Sequence, residues 1–410
     1  MNRVLGIIAE FNPFHNGHLY HLTESKKLSN CDYAICIMNG NFTQRGLPSL
    51  INKWDKTQMA LKNGFDLVIE LPTIYGISSA ENFAYGSIKI LNNLKIIDVL
   101  SFGSEVGTLD SLQPLADLFC DEPKEYISIL KSELNLGVSF PKAREIATCA
   151  YLKDEKYKDI LCFPNNILGI EYLKSLKKLD CPITPITIKR KISDYSSIEI
   201  NSSFASSTAI RNLVALNKIV NIKDVMPETA YQILLSCIQN ENYVLNLDAY
   251  EKIILYKLRT MSLEQIRNIP DISEGLEFVL KNAVNKCNSL SSVLERCKSK
   301  RFTYARLQRI LLYVLLNITV ESMNLSKNIS PYVRILGVNS KGKKLLSEIR
   351  KISPDLPVIT SIKDFEVKNK NSDLQKILDI DKRATDIYTL GYQNNSSYSN
   401  LDYTQKLIIN

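Results

Sequence analysis

At 410 residues the chain is long enough for two or three domains, and 45% hydrophobic against 23% charged residues describes an ordinary globular protein rather than a disordered or fibrous one. A formal charge of +8 favours polyanionic partners without identifying one. Nine scattered cysteines, odd in number and without a C-x-x-C pair, argue against a disulfide framework or zinc knuckle and for buried thiols in a reducing compartment. The apolar run from Val4 to Ala9 is too short for a signal peptide, and "ILLYVLLNITV" (310–320) is too short to span a bilayer, so no membrane association and a cytoplasmic location are expected.

Short runs rich in Val, Ile and Leu at 3–11, 32–40, 66–72, 99–105 and 182–190 read as strands buried on both faces, as in a parallel sheet. Helical patterns at 18–28, 53–62, 80–91, 123–136, 141–152 and 165–179 alternate with them, which predicts an open doubly wound α/β domain. The stretch 109–179 is long for a crossover and is expected to form a lobe over the sheet's edge. From 227 to 320 strand signals vanish and amphipathic helices follow one another. After 328, "YVRILGVNSKGKKLLSEIRK" and "LPVITSI" read as strand, turn, helix and strand, closing a small α/β end-piece. The expected division is 1–226, 227–328 and 329–410.

All three histidines of the chain, His15, His18 and His21, lie in "AEFNPFHNGHLYH" (9–21), where the first strand gives way to a helix. Such a turn at the carboxyl edge of a parallel sheet is where these folds bind ligands, because helix N-terminal amides point outward. Gly17 lets a ligand approach the backbone, and the imidazoles of His15 and His18 can stabilise charge growing on a phosphate. Two other readings stay open here: unconnected cap residues, or zinc binding through the H-x-x-H-x-x-H spacing. His21, further along the helix, is expected to pack or support.

"FNPFHNGH" resembles the H-x-G-H signature of the nucleotidyltransferase superfamily, and "SSTAIR" (206–211) resembles its I-S-S-T-x-x-R element. Physically, Ser206, Ser207 or Thr208 would cap a helix facing phosphate, and Arg211 would supply a fork of donors. Over its whole length the chain resembles the bacterial tRNA(Met) cytidine acetate ligase family. The segments that carry this are 6–22, 38–61, 66–72, 101–105, 164–172, 188–190, 302–312 and 383–392.

The resemblance implies a Rossmann-like nucleotidyltransferase (HUP-type) domain followed by a helical domain and a small α/β segment. It also implies a two-step reaction: acetate and ATP give acetyl-adenylate and pyrophosphate, and the wobble cytidine of elongator tRNA(Met) then takes the acetyl group on its 4-amino nitrogen. ATP is expected along Ile7, Ile8, Ala9, Glu10, Phe11, Asn12, Pro13, Phe14, His15, Asn16, Gly17, His18, Leu19 and Tyr20, and at Gly103, Asn165 and Arg190. His15, His18, Ser206, Thr208 and Arg211 are the expected catalytic set. Mg²⁺ is expected to accompany ATP on its phosphate oxygens, without a protein metal site. No obligate protein partner is evident.

For tRNA the best stretch is 296–312, with Lys298, Lys300, Arg301, Arg306 and Arg309 as phosphate contacts and Phe302 and Tyr304 available to stack on bases. Lys341, Lys343 and Lys344 form a second basic group. The loop "NGNFTQRG" (39–46), with Gln44 and Arg45, is a candidate lining for ATP or acetate, and Glu70 is either paired with a cation or near the site. The alternative function is a small-molecule adenylyltransferase of coenzyme synthesis, its helical part serving dimerisation. A non-enzymatic RNA-binding protein and an acetyl-CoA-dependent acetyltransferase are further rivals.

Overall fold

The computed structural model describes residues 3–191, 203–394 and 398–410. Five parallel strands carry the first half: β1 (Val4–Ala9), β2 (Tyr33–Asn39), β3 (Leu67–Leu71), β4 (Val99–Ser104) and β5 (Thr184–Lys189). Three more come from the C-terminal part: β6 (Val333–Val338), β7 (Val358–Ile359) and β8 (Ile408–Ile409). The order is β5-β4-β1-β2-β3-β6-β7, with β8 also on β6.

Strands β1 to β4 are largely buried on both faces, which explains their unbroken apolar runs. β5, at the sheet's edge, is exposed at both ends and mostly half-buried between, so the expectation of full burial fails for 182–190. Along β2, Ile35 and Ile37 join one core cluster while Ala34, Cys36 and Met38 join the other, as the two-residue period of a strand requires. The second cluster is closed by the helices Lys53–Lys62 and Ser207–Ala215, and the first by Ala80–Leu94, Leu109–Asp121 and Pro164–Lys178. The lobe expected between the fourth and fifth strands is built from the helices Leu109–Asp121, Lys124–Asn135, Phe140–Leu152 and Lys156–Leu161.

The sheet departs from the expected all-parallel arrangement. β6 runs antiparallel to β3, pairing Glu70 with Arg334, so the C-terminal strands extend the first sheet instead of closing a sheet of their own. The reason lies in an otherwise open edge at β3, which a wholly buried β6 covers, and in a ring of four buried charges. Lys53 Nζ meets Glu70 at 2.9 Å and Asp402 at 2.7 Å, and Arg334 meets the same two carboxylates at 2.9 and 2.6 Å. Glu70 is therefore a paired structural carboxylate, the first of the two roles open to it.

Helices Glu228–Gln239 through Val320–Asn328 form the helical part. It is tied to the sheet domain by Tyr313 Oη donating to the Ile77 carbonyl at 3.2 Å and Tyr75 Oη to that of Ser326 at 2.5 Å. Among the described residues no helix is long and apolar enough to cross a membrane.

Candidate functional site

β1 lies mid-sheet, with β4 on one side and β2 on the other, and its carboxyl end opens into a cleft of about 380 Å³. That volume lies within the range of small-molecule sites. His15 is the N-cap of the helix Asn16–Ser29. Its Nδ1 accepts from Gly17 N at 3.0 Å, and His18 Nδ1 accepts from His15 N at 3.2 Å, a reciprocal capping box made of imidazoles. With each Nδ1 accepting, the hydrogen-bond network assigns the ring proton to Nε2 in both, and the rings lie 3.8 Å apart, centroid to centroid.

Glycine at 17 has a local cause. A Cβ there would lie 2.8 Å from His15 Cε1, so Gly17 makes room for the imidazole that caps it. Burial, and then the Arg190 charge, push His15 down to about 3. Burial, followed by His15, Arg190 and His21, holds His18 well below its ordinary value. Both rings are neutral donors at pH 7. His21, lowered to about 4 by burial and Arg190, meets Ser101 Oγ at 3.0 Å and supports the turn from β4.

Opposite stands the helix Ser207–Ala215, whose N-cap Ser206 accepts from Ala209 N at 3.1 Å. Arg211 donates to Thr208 Oγ1 at 3.1 Å and to the Asn12 carbonyl at 3.0 Å. That last bond joins the serine/threonine element to the histidine turn across a separation of 199 residues. The two elements share one cleft, whose lining includes His15, His18, Ser206, Thr208 and Arg211.

Of the residues expected at ATP, Ile7, Ile8, Ala9, Glu10, Phe11, Asn12, Gly17, Tyr20, Gly103, Asn165 and Arg190 also line the cleft. Phe14 is fully buried, Asn16 braces the turn by donating to the Ser203 and Asp224 carbonyls, and Pro13 and Leu19 lie outside the lining. Gly103 sits beside Arg190, whose Cγ a Cβ would meet at 3.3 Å. Asn165 donates to Glu105 at 2.6 Å, and Glu105 also accepts from Asn166 N. Glu105 therefore orients Asn165, a role the sequence did not reveal although Glu105 closes the segment 101–105 that carries the family resemblance.

The loop after β2 is a pinned turn. Thr43 N and Oγ1 both donate to the Leu47 carbonyl, and Gln44 N donates to Glu10 Oε1 at 2.7 Å. Gly46, with φ +80°, lies against the backbone of Gln308 and Arg309, where a Cβ would come within 2.6 Å. Thr43, Gln44, Arg45 and Leu47 line the cleft from the β2 side. Beneath, buried Lys56 Nζ donates to the carbonyls of Glu10, Asn39 and Gly40 and to Ser49 Oγ, all within 3.1 Å.

Of the expected RNA contacts, Lys298, Lys300 and Arg301 are exposed. Arg306 is engaged by the Asp271 carbonyl and Ser273 Oγ, and Arg309 by the Asp271 carboxylate. Phe302 is buried beneath Arg306, which corrects the expectation that it can stack, whereas Tyr304 is 41% exposed. Lys341 reaches the Asp32 carbonyl before β2, at the sheet's opposite edge from the cleft. Among the described residues no group of three or more His, Cys, Asp or Glu could hold a metal ion.

The model of the family described as HIGH Nucleotidyl Transferase matches residues 1–402. A tRNA(Met) cytidine acetate ligase of Thermoanaerobacter sp. (strain X514) is 45% identical over 405 residues, 99% of each chain. One from Acetivibrio thermocellus is 41% identical over 99% of this chain and all of its own. A crystal structure of Thermotoga maritima TmcAL bound with alpha-thio ATP matches with a TM-score of 0.92 at 33% identity, covering 99% of both chains. Its apo form gives 0.94.

Proposed function

The chain belongs to the HIGH nucleotidyl transferase family and, within it, to the tRNA(Met) cytidine acetate ligases, and from that premise we propose how its own residues run the reaction. It is an ATP-dependent ligase that makes N4-acetylcytidine at the wobble position of elongator tRNA(Met). One observation carries the residue assignment: the histidine turn and the Ser206–Arg211 element face one cleft and are bonded through Arg211 and Asn12.

In the first step an acetate oxygen attacks the α-phosphorus of ATP. The bond to the bridging oxygen breaks, and pyrophosphate leaves with the electron pair. His15 and His18 present Nε2–H donors that are already oriented by backbone amides, so they meet the growing charge without reorganisation. Their neutrality suits donation rather than proton transfer. The free amides at the start of the helix Ser207–Ala215, with Arg211 and Arg190, hold phosphate oxygens. Gly103 and Asn165 take the nucleoside on the β4 side.

In the second step the cytidine 4-amino nitrogen attacks the acetyl carbonyl, the mixed anhydride breaks, AMP departs, and the amine loses its proton. Mg²⁺ neutralises phosphate charge when it is bound. Among the described residues Glu10 is the sole carboxylate lining the cleft and is already engaged with Asn39 and Gln44, so the ion would arrive and leave on the nucleotide. Lys298, Lys300 and Arg301 contact tRNA phosphates, and the protein works in the cytoplasm.

The test is incubation with labelled acetate, ATP and elongator tRNA(Met), followed by digestion to nucleosides. Label in acetylcytidine that requires ATP is expected, and His18→Ala should cut acetate-dependent pyrophosphate release about 10²–10³-fold while tRNA affinity stays near wild type. Labelling from acetyl-CoA without ATP, or consumption of ATP with a phosphorylated coenzyme precursor in place of acetate, defeats the reading.

A further inference from the structure

The nucleotide assignments fall on β1 and on its β4 side, which leaves one built feature of the cleft unused. The turn Thr43–Leu47, on the β2 side, is fixed at three points: its own Thr43–Leu47 bonds, the Glu10 carboxylate beneath Gln44 N, and the backbone of Gln308 and Arg309 against Gly46. Its tip carries Arg45, an exposed guanidinium that lines the cleft, and two residues on it carries Leu47, half-buried and also lining.

Arg45 stands near Arg211, whose ionisation is lowered first by burial and also by the Arg45 charge, with Glu10 opposing. Arg45 has no partner among the hydrogen bonds and ion pairs of the described residues, and two cations facing one space are relieved by an anion between them. Arg45 lines the same cleft as the histidine turn, so an anion held there would share the cleft with the α-phosphate of the proposed reaction, where the attacking carboxylate belongs.

Resting on the ligase reading, we propose that the turn Thr43–Leu47 is the acetate subsite, with Arg45 pairing with the carboxylate and Leu47 bounding the methyl group. Arg45 lowers the cost of bringing an anion up to a polyanion, and Leu47 sets the length of acid that fits. The pairing leaves one carboxylate oxygen free for attack, so Arg45 binds and aims the nucleophile but takes no proton.

The experiment is acetate-dependent exchange of labelled pyrophosphate into ATP, run without tRNA on the full chain. In Arg45→Gln the acetate KM is expected to rise about ten- to hundredfold, with the ATP KM unchanged and Arg45→Lys intermediate. In Leu47→Ala the ratio of kcat/KM for propionate over acetate is expected to rise about tenfold. Exchange in the wild type with an unaltered acetate KM in Arg45→Gln overturns the subsite, and a raised tRNA KM for that variant in a separate acetylcytidine-forming assay then reassigns Arg45 to the RNA. A wild-type protein that exchanges no pyrophosphate with acetate defeats the ligase reading itself, and the subsite with it.

Discussion

His15 and His18 keep their orientation only while each Nδ1 stays unprotonated and accepts its backbone amide, and holding buried rings neutral has a thermodynamic cost at low pH. In the unfolded chain the histidines titrate near 6.5, whereas in the fold His15 is lowered to about 3 and His21 to about 4, with His18 also well below. Above 6.5 these rings are neutral in both states and contribute nothing. Between 6.5 and the folded values the unfolded chain takes up protons that the folded chain refuses, so stability falls as pH falls, by up to about 1.4 kcal/mol per pH unit for each ring. His21 lies outside the expected catalytic set and is the ring to remove. His21→Gln should lower the slope of urea-unfolding free energy between pH 6.5 and 4.5 and leave it unchanged above 7. An identical slope in the variant would show that His21 takes a proton in the folded state.

At the scale of elements, the strand ends beneath the cleft are held by one ammonium. Lys56 comes from the helix Lys53–Lys62 and gathers the carbonyls of Glu10, Asn39 and Gly40 with Ser49 Oγ, where β1 and β2 end. Burial lowers its ionisation to about 7, against the opposing pull of Glu10 and Glu70. Lys56→Met would strand those acceptors in a dry site, an expected loss of about 2–4 kcal/mol in denaturant unfolding. Lys56→Arg should not rescue it, because a planar fork cannot converge on oxygens spread around one point. Wild-type stability in Lys56→Met would mean that water serves those carbonyls.

This clamp marks how far the sequence could be read. The five parallel strands, the helix Lys53–Lys62 and the histidine turn were legible because each is signalled within a short window by apolar runs, spacing or a glycine. What Lys56 and Glu70 do was not legible, since their partners depend on pairing between distant segments. Nor was the fate of β6: its buried run suits any interior strand, and only the charge pair Glu70–Arg334 across β3 distinguishes this partner. Arg45 stood in a loop already singled out, but the contact of Gly46 with the backbone of residues 308 and 309 belongs to the packed chain.

At the scale of the whole molecule, the same contact and the buried charge ring bind the helical part and the C-terminal strands to the catalytic sheet. The proposed RNA contacts on the helical part would therefore bear on a cleft fixed in position relative to them. The basic stretch 298–309 divides into two kinds of cation. Lys298, Lys300 and Arg301 are exposed, while Arg306 and Arg309 are consumed by Asp271 and Ser273. Each phosphate neutralised by an exposed cation releases a counterion, so the triple change Lys298→Gln, Lys300→Gln, Arg301→Gln should weaken tRNA binding and reduce the slope of log affinity against log salt by about 2–3. Arg309→Gln should leave that slope alone and instead destabilise the fold, since it leaves the half-buried Asp271 carboxylate without its ion-pair partner. Filter binding of elongator tRNA(Met) from 50 to 300 mM salt (a range wide enough for the slope) separates the two. An unchanged slope in the triple variant would move the RNA to another face, and a reduced slope in Arg309→Gln would show that Arg309 leaves Asp271 to meet a phosphate.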